Sequence, residues 1–145
     1  MMKEYISIGY LLNNAARLAR KDLTNRMNDI GLTSPQWMVI RDLCTHKDAD
    51  SNELTMAAIA RRMNSNRANI MGITDRLEAL GLVQRTVNPQ DRRAQILTLT
   101  DKAKKLLSEL EEMSKQTTDK AFQGFSQQER QMVMDFLDRI IANLA

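Results

Sequence analysis

The chain has 145 residues, 43% of them apolar, enough for one compact domain or one protomer of a small oligomer and too few for two large domains. Twenty-one Lys and Arg against eighteen Asp and Glu leave a formal charge of +3, which as a total is too mild to identify a partner. A single cysteine, Cys44, excludes an internal disulfide, and with the single histidine, His46, it cannot build the usual Cys/His zinc site. His46 lies among Thr45, Lys47 and Asp48 in a loop-like stretch and offers no Ser-His-Asp triad, so no metal, no cofactor and no enzymatic activity are expected. No run approaches the ~20 apolar residues of a membrane span. The start, Met1 to Ile6, is soon followed by Asn13, Asn14, Arg17 and Arg20, which breaks any signal-peptide core. A cytoplasmic protein is expected.

From Tyr5 to Ile30, apolar residues recur every three or four positions through Ile8, Leu11, Leu12, Ala15, Leu18, Leu23 and Met27, predicting a long amphipathic helix stopped at Gly31. Thr33-Ser34-Pro35-Gln36 has capping-box spacing with proline in the first turn and starts a second helix bearing Trp37, Ile40, Leu43 and Cys44 on one side, fading at His46. Lys47 to Glu53 is turn-forming in composition. Thr55 caps a short helix with Met56, Ile59, Ala60 and Met63. Asn64-Ser65-Asn66 interrupts, and a further helix runs to about Leu80 with Ile70, Ile73, Leu77 and Leu80 as its buried stripe, ending at Gly81. Two short helices joined this closely make a helix-turn-helix. Leu82–Val87 and Ala94–Leu99 then alternate like strands around Asn88-Pro89-Gln90-Asp91-Arg92-Arg93, which predicts a hairpin wing with a six-residue connection. Thr100 caps a long polar helix reaching about Ala121; Gly124 breaks it. Ser126-Gln127-Gln128-Glu129 is a second capping box opening a helix with Met132, Val133, Phe136, Leu137, Ile140, Ile141 and Leu144.

The predicted fold class is therefore mostly α with a small β-wing: a winged helix-turn-helix over residues 33–100, flanked by helical regions 1–32 and 101–145. The terminal helices carry more apolar surface than so small a winged helix can cover. A second copy packed on them would cover it, as would an intramolecular bundle; a closed two-fold dimer is the expectation.

The charge is unevenly placed. Between Met56 and Arg93 there are seven arginines, no lysine and three acids, leaving +4, while 14 basic against 15 acidic residues elsewhere leave −1. Arginine's planar fork suits phosphates, guanine edges and narrow minor grooves. On the predicted second helix of the motif, the face opposite the apolar stripe carries Ala68, Met71, Gly72 and Asp75, with Asn66 and Arg67 at its start. Residues near the N-terminus of such a helix usually touch bases. Arg67 suits guanine, Asn66 or Asn69 adenine, and Met71 a thymine methyl, although Asn66 is equally suited to capping. A mid-helix glycine costs about 1 kcal/mol relative to alanine. Gly72 beside Ala68 would admit a closely approaching surface, either a major-groove floor or another helix. In the wing, Asp91 stands two residues before Arg93 and can hold its guanidinium extended toward a minor groove. Asn66, Arg67, Ala68, Asn69, Met71, Gly72, Arg76, Asp91, Arg92 and Arg93 are the candidate DNA-binding residues.

Leu32-Thr33-Ser34-Pro35-Gln36-Trp37, Leu54-Thr55-Met56-Ala57-Ala58-Ile59-Ala60-Arg61-Arg62-Met63, Thr74-Asp75-Arg76-Leu77-Glu78-Ala79-Leu80-Gly81-Leu82-Val83-Gln84-Arg85 and Asp91-Arg92-Arg93 followed by Leu97-Thr98-Leu99-Thr100 resemble the MarR family of bacterial transcriptional regulators. The resemblance implies a homodimer with interlocked first and last helices and two winged lobes on successive major grooves of a pseudo-palindromic double-stranded DNA operator. It also implies a wing arginine, here Arg93, in the minor groove, and a repressor released by a small phenolic or other amphipathic effector bound between dimer helices and lobe. Position 72, often basic or polar in such proteins, is glycine here. The reactive first-helix cysteine of peroxide sensors and the several His or acidic ligands of zinc sensors are lacking, so Cys44 is expected to be a packed structural thiol and the ten methionines core filler. The competing expectation is a winged-helix protein-interaction module without DNA binding.

Overall fold

The computed structural model describes residues 7–145; Tyr5 and Ile6 of the predicted first helix lie outside the described residues. Six helices and one antiparallel hairpin follow in the order α1 (Ile8–Met27), α2 (Ser34–Thr45), α3 (Met56–Arg62), α4 (Arg67–Ala79), β1 (Val83–Asn88), β2 (Asp91–Leu99), α5 (Asp101–Ala121) and α6 (Gln127–Leu144). The first helix is shorter than its periodicity predicts. Asn28–Ile30 tighten into a 3-10 turn, and Gly31 ends it in the left-handed region.

Side-chain caps set most of the remaining boundaries. Gln36 Oε1 accepts the Thr33 backbone N–H at 3.0 Å, and the Ser34 N–H donates to Thr24 Oγ1 at 2.9 Å, fastening the start of α2 to α1. Thr55, Asn66 and Thr100 accept from the N–H groups of Ala58, Asn69 and Ala103 at the starts of α3, α4 and α5. Ser126 and Glu129 close the reciprocal box at α6.

Trp37, Val39, Ile40 and Leu43 of α2, Ile59 of α3, Ile70 and Leu77 of α4, and Leu82, Val83 and Leu97 around the hairpin form the core of the central lobe. The buried stripe of α4 is Ile70, Thr74 and Leu77, with Ile73 and Leu80 only half-buried, a rotation away from the predicted stripe. Thr74 can occupy the core because its hydroxyl donates to the Ile70 carbonyl at 2.6 Å, so no polar atom is left unsatisfied.

The wing also differs from expectation. Its strands extend to Asn88 and from Asp91, leaving Pro89 and Gln90 as a two-residue connection in place of the predicted six. The register jumps from Val87 opposite Gln95 to Asn88 opposite Asp91, so Arg92, Arg93 and Ala94 lie opposite no residue of β1 and form a bulge at the tip.

Helix α5 buries Ala103, Leu110 and Thr117, and it packs on α1, whose Leu23 and Met27 are buried. Asp22 accepts from Lys120 (2.7 Å), Arg26 (2.8 Å) and Thr117 (2.8 Å), and these donors, Lys120 foremost, hold its carboxyl far below the usual carboxylate range. Helix α6 buries nothing: Met132, Met134, Phe136, Ile141 and Leu144 are all exposed, as are Ile8, Tyr10 and Leu11 of α1. Cys44 is half-buried, on the wall of a cavity rather than inside the core. No described helix is long and apolar enough to cross a membrane, and the described residues include no metal-ligating cluster.

Candidate nucleic-acid interface

Helix α4 lies across α2 and α3 with Ile70, Thr74 and Leu77 inward, which leaves its other side in solvent. Arg67, Ala68, Asn69, Met71, Gly72, Asp75 and Arg76 are all exposed. At about 100° per residue, Ala68, Met71, Gly72 and Asp75 share the outward face, Asn69 and Arg76 form one shoulder and Arg67 the other. A Cβ added at Gly72 would meet nothing within 4 Å, so no described residue packs there and the small-residue gap stands open. Asn66 is at the cap. Its Oδ1 accepts the Asn69 N–H at 2.8 Å, so the cap fixes the orientation of its amide and occupies one of the two lone pairs of that oxygen. Asn69 is the amide presented outward, its Nδ2 held only loosely, 3.5 Å from Ser65 Oγ.

The seven arginines of the basic segment divide into two groups. Arg62, 18% exposed, makes a two-pronged pair with Asp42 (2.9 and 2.7 Å), reaches Glu53 Oε2 at 2.9 Å and donates to the Glu53 carbonyl at 2.7 Å. The Asp42 hydrogen bonds raise its already high pKa further. Arg85, 19% exposed, leaves β1 to pair with Asp75, and its Nε lies 3.5 Å from Glu78 Oε2. Both are therefore structural ties, one holding α3 to the end of α2 and the other the wing to α4. Arg61 sits 3.4 Å from Glu53.

Arg67, Arg76 and Arg92 make no ion pair with any described residue. Arg93, 91% exposed, is gripped by Asp91: Nε to Oδ1 at 3.1 Å, a second guanidinium nitrogen to Oδ2 at 3.3 Å, and the Arg93 backbone N–H to Oδ1 at 3.1 Å. The same bonds lower the Asp91 pKa, so the carboxylate stays charged and keeps the guanidinium oriented away from the body. The site thus combines a solvent-facing helix with small residues at its centre, unpartnered arginines at its edges and a bulged hairpin tip carrying two more.

Sequence reasoning overlooked the polar seam beneath that tip. Asn88, 1% exposed, accepts from the Ser51 hydroxyl (2.8 Å) and the Gln90 N–H (3.0 Å) and donates to Asn52 Oδ1 (2.8 Å). Its turn-like neighbours conceal this burial in the sequence.

A central helix pair packed at its base by two antiparallel strands, with the second helix bare on its outer side, defines a winged helix-turn-helix protein. Residues 30–94 match the profile of the MarR family. The chain is similar to the MepR of S. aureus solved in complex with DNA (TM-score 0.83, 17% identity, 99% of this chain and 100% of that one). It is also similar to a MarR-family transcriptional regulator from Rhodococcus sp. RHA1 (TM-score 0.83, 23% identity, 95% and 96% covered). A third similar structure is CouR from Rhodococcus jostii RHA1 bound to p-coumaroyl-CoA (TM-score 0.79, 23% identity, 97% and 95% covered). The family match thus covers residues 30–94, most of the winged helix-turn-helix, and the similar structures share the fold of the chain around it.

Proposed function

We propose that the protein is a dimeric transcriptional regulator that reads double-stranded DNA through α4 and the wing, acting as a repressor that a small amphipathic molecule releases. The observation that carries the reading is the division of the arginines: those facing the body are neutralised, while Arg67, Arg76, Arg92 and Arg93 stand outward around a helix that has shed bulk at Ala68 and Gly72. Residues 33–100 then form the reading lobe and 1–32 with 101–145 the scaffold that joins two copies. MepR, solved with DNA, and CouR, solved with an acyl-CoA, support the two halves of the proposal. A cavity of about 300 Å³ between α2, β2 and α5 suits such an effector. Leu43, Leu97 and Leu107 supply apolar wall, and Lys47 and Lys104 supply positive charge for an acidic end group.

Selection of duplexes from a random library by the wild-type protein tests the reading: an inverted repeat with half-sites about 10 bp apart is expected. Two substitutions then separate the roles. Arg93→Ala should weaken binding to every duplex and reduce the magnitude of the log-affinity against log-salt slope by about one. Arg67→Ala should cost about 1–3 kcal/mol at particular base pairs of the selected site. An unchanged slope removes Arg93 from the contact; an equal loss on all sequences reassigns Arg67 to phosphate.

A further inference from the structure

We propose that Asn88 is a positioning residue for the wing, latching the hairpin tip to the loop at Asp50–Asn52 so that Arg92 and Arg93 are held at a fixed offset from α4. The inference rests on the DNA-binding reading for its functional consequence, and on the geometry of the free protein for the latch itself. Up to Ile96 the wing is anchored by ordinary means: Ile96 and Leu97 are buried, and Ile96 bridges to Thr55. Beyond Ile96 the hairpin leaves the core, and a two-stranded ribbon without a hydrophobic face is marginal in water. What holds it there is a closed set of side-chain bonds.

Asn88 uses its carbonyl oxygen for Ser51 and Gln90 and its amide for Asn52. Gln90 returns across the same gap, its Nε2 donating to Asp50 Oδ2 at 2.9 Å and its Oε1 accepting from Asn52 Nδ2 at 2.7 Å. The bonds from Asn88 and Gln90 to Asp50, Ser51 and Asn52 span 36 to 40 residues of sequence and fasten the end of β1 and the connection after it to one loop. Asn88 also stands at the register jump itself, paired with Asp91, the residue that grips Arg93. The place of the bulge, and with it the departure point of both arginines, is therefore set at this buried amide. Asn88 is the buried member of the latch, while Ser51 is half-buried and Asp50, Asn52 and Gln90 are exposed, so once the latch is broken the loop side turns to water, which favours an opened tip over a rearranged closed one.

The test uses the full-length protein and a duplex recovered by selection from a random library. In the free protein, Asn88→Ala should speed amide hydrogen exchange at residues 91–94 while leaving exchange in α4 unchanged, whereas Arg93→Ala should leave 91–94 as in wild type. On the duplex, Asn88→Ala should weaken binding about tenfold, within the range of coupling between directly linked residues, and should add little in an Arg93→Ala, Arg92→Ala background. Asn52→Ala, at an exposed position, should reproduce both effects in reduced size and carries the test if Asn88→Ala fails to fold. Unchanged exchange at 91–94 in both variants overturns the latch. Faster exchange with unchanged affinity overturns its role in DNA binding. Losses that multiply fully with those of the wing arginines also overturn that role, because Asn88 would then act elsewhere.

Discussion

A chain ending at Phe125 should remain folded through α5, sediment as a monomer and lose roughly a hundredfold or more in affinity for an inverted-repeat duplex. The fold should survive because α6 buries none of its residues within the protomer. Its exposed Met132, Phe136, Ile141 and Leu144, and separately Ile8, Tyr10 and Leu11 on α1, are apolar residues that one protomer leaves bare. Exposed apolar helix faces of this kind suit an interaction site. The affinity loss follows from converting a two-point attachment into a one-point one, a change of about 10² to 10⁴ when both sites are in reach. A truncated chain that still sediments as a dimer would move the interface off the terminal helices.

Arg62→Ala should destabilise the lobe by about 2–4 kcal/mol, seen as a lower urea midpoint with an unchanged m-value. The guanidinium satisfies Asp42, itself only 11% exposed on its side chain, and the Glu53 carbonyl in one arrangement, and its removal strands a carboxylate with little water around it. Arg61 is the internal control. It approaches the same Glu53 from solvent, and Arg61→Ala should change stability by no more than about 0.5 kcal/mol. Equal effects of the two substitutions would mean that the Asp42 pair holds nothing. The pair also bears on function: it fixes α3 to α2, and α4 takes its angle from both.

This contrast shows what was legible in the sequence. Helix ends were, because caps act within four residues: Thr33 with Gln36, Ser126 with Glu129, and Gly31 and Gly81 in the left-handed region all mark boundaries where the structure has them. The exposed face of α4 was legible from its 3.6-residue period, apart from the shift that admits Thr74. The destinations of the arginines were not. Arg62 and Arg85 read like Arg67 in a charge count, yet Asp42 lies 20 residues from Arg62 and Glu53 lies outside the basic segment. The net +4 therefore describes a mixture of arginines tied into the body and arginines that stand outward, and only the outward ones can reach a phosphate. The wing was legible as a hairpin, but its length was not. Asn88 has the composition of a turn residue and becomes a strand terminus because Ser51 and Asn52 satisfy its buried amide.

The central claim is that Arg67, Arg76, Arg92 and Arg93 face the DNA backbone and grooves in both protomers. Equilibrium binding of the selected duplex across a salt series tests it most directly. Each phosphate neutralised contributes about −0.9 to the slope of log affinity against log salt concentration, so a dimer engaging at least half of these arginines should give a slope of about −3.6 or steeper. A flat slope, or no binding at low salt, would contradict the account and favour a winged-helix module that docks protein instead.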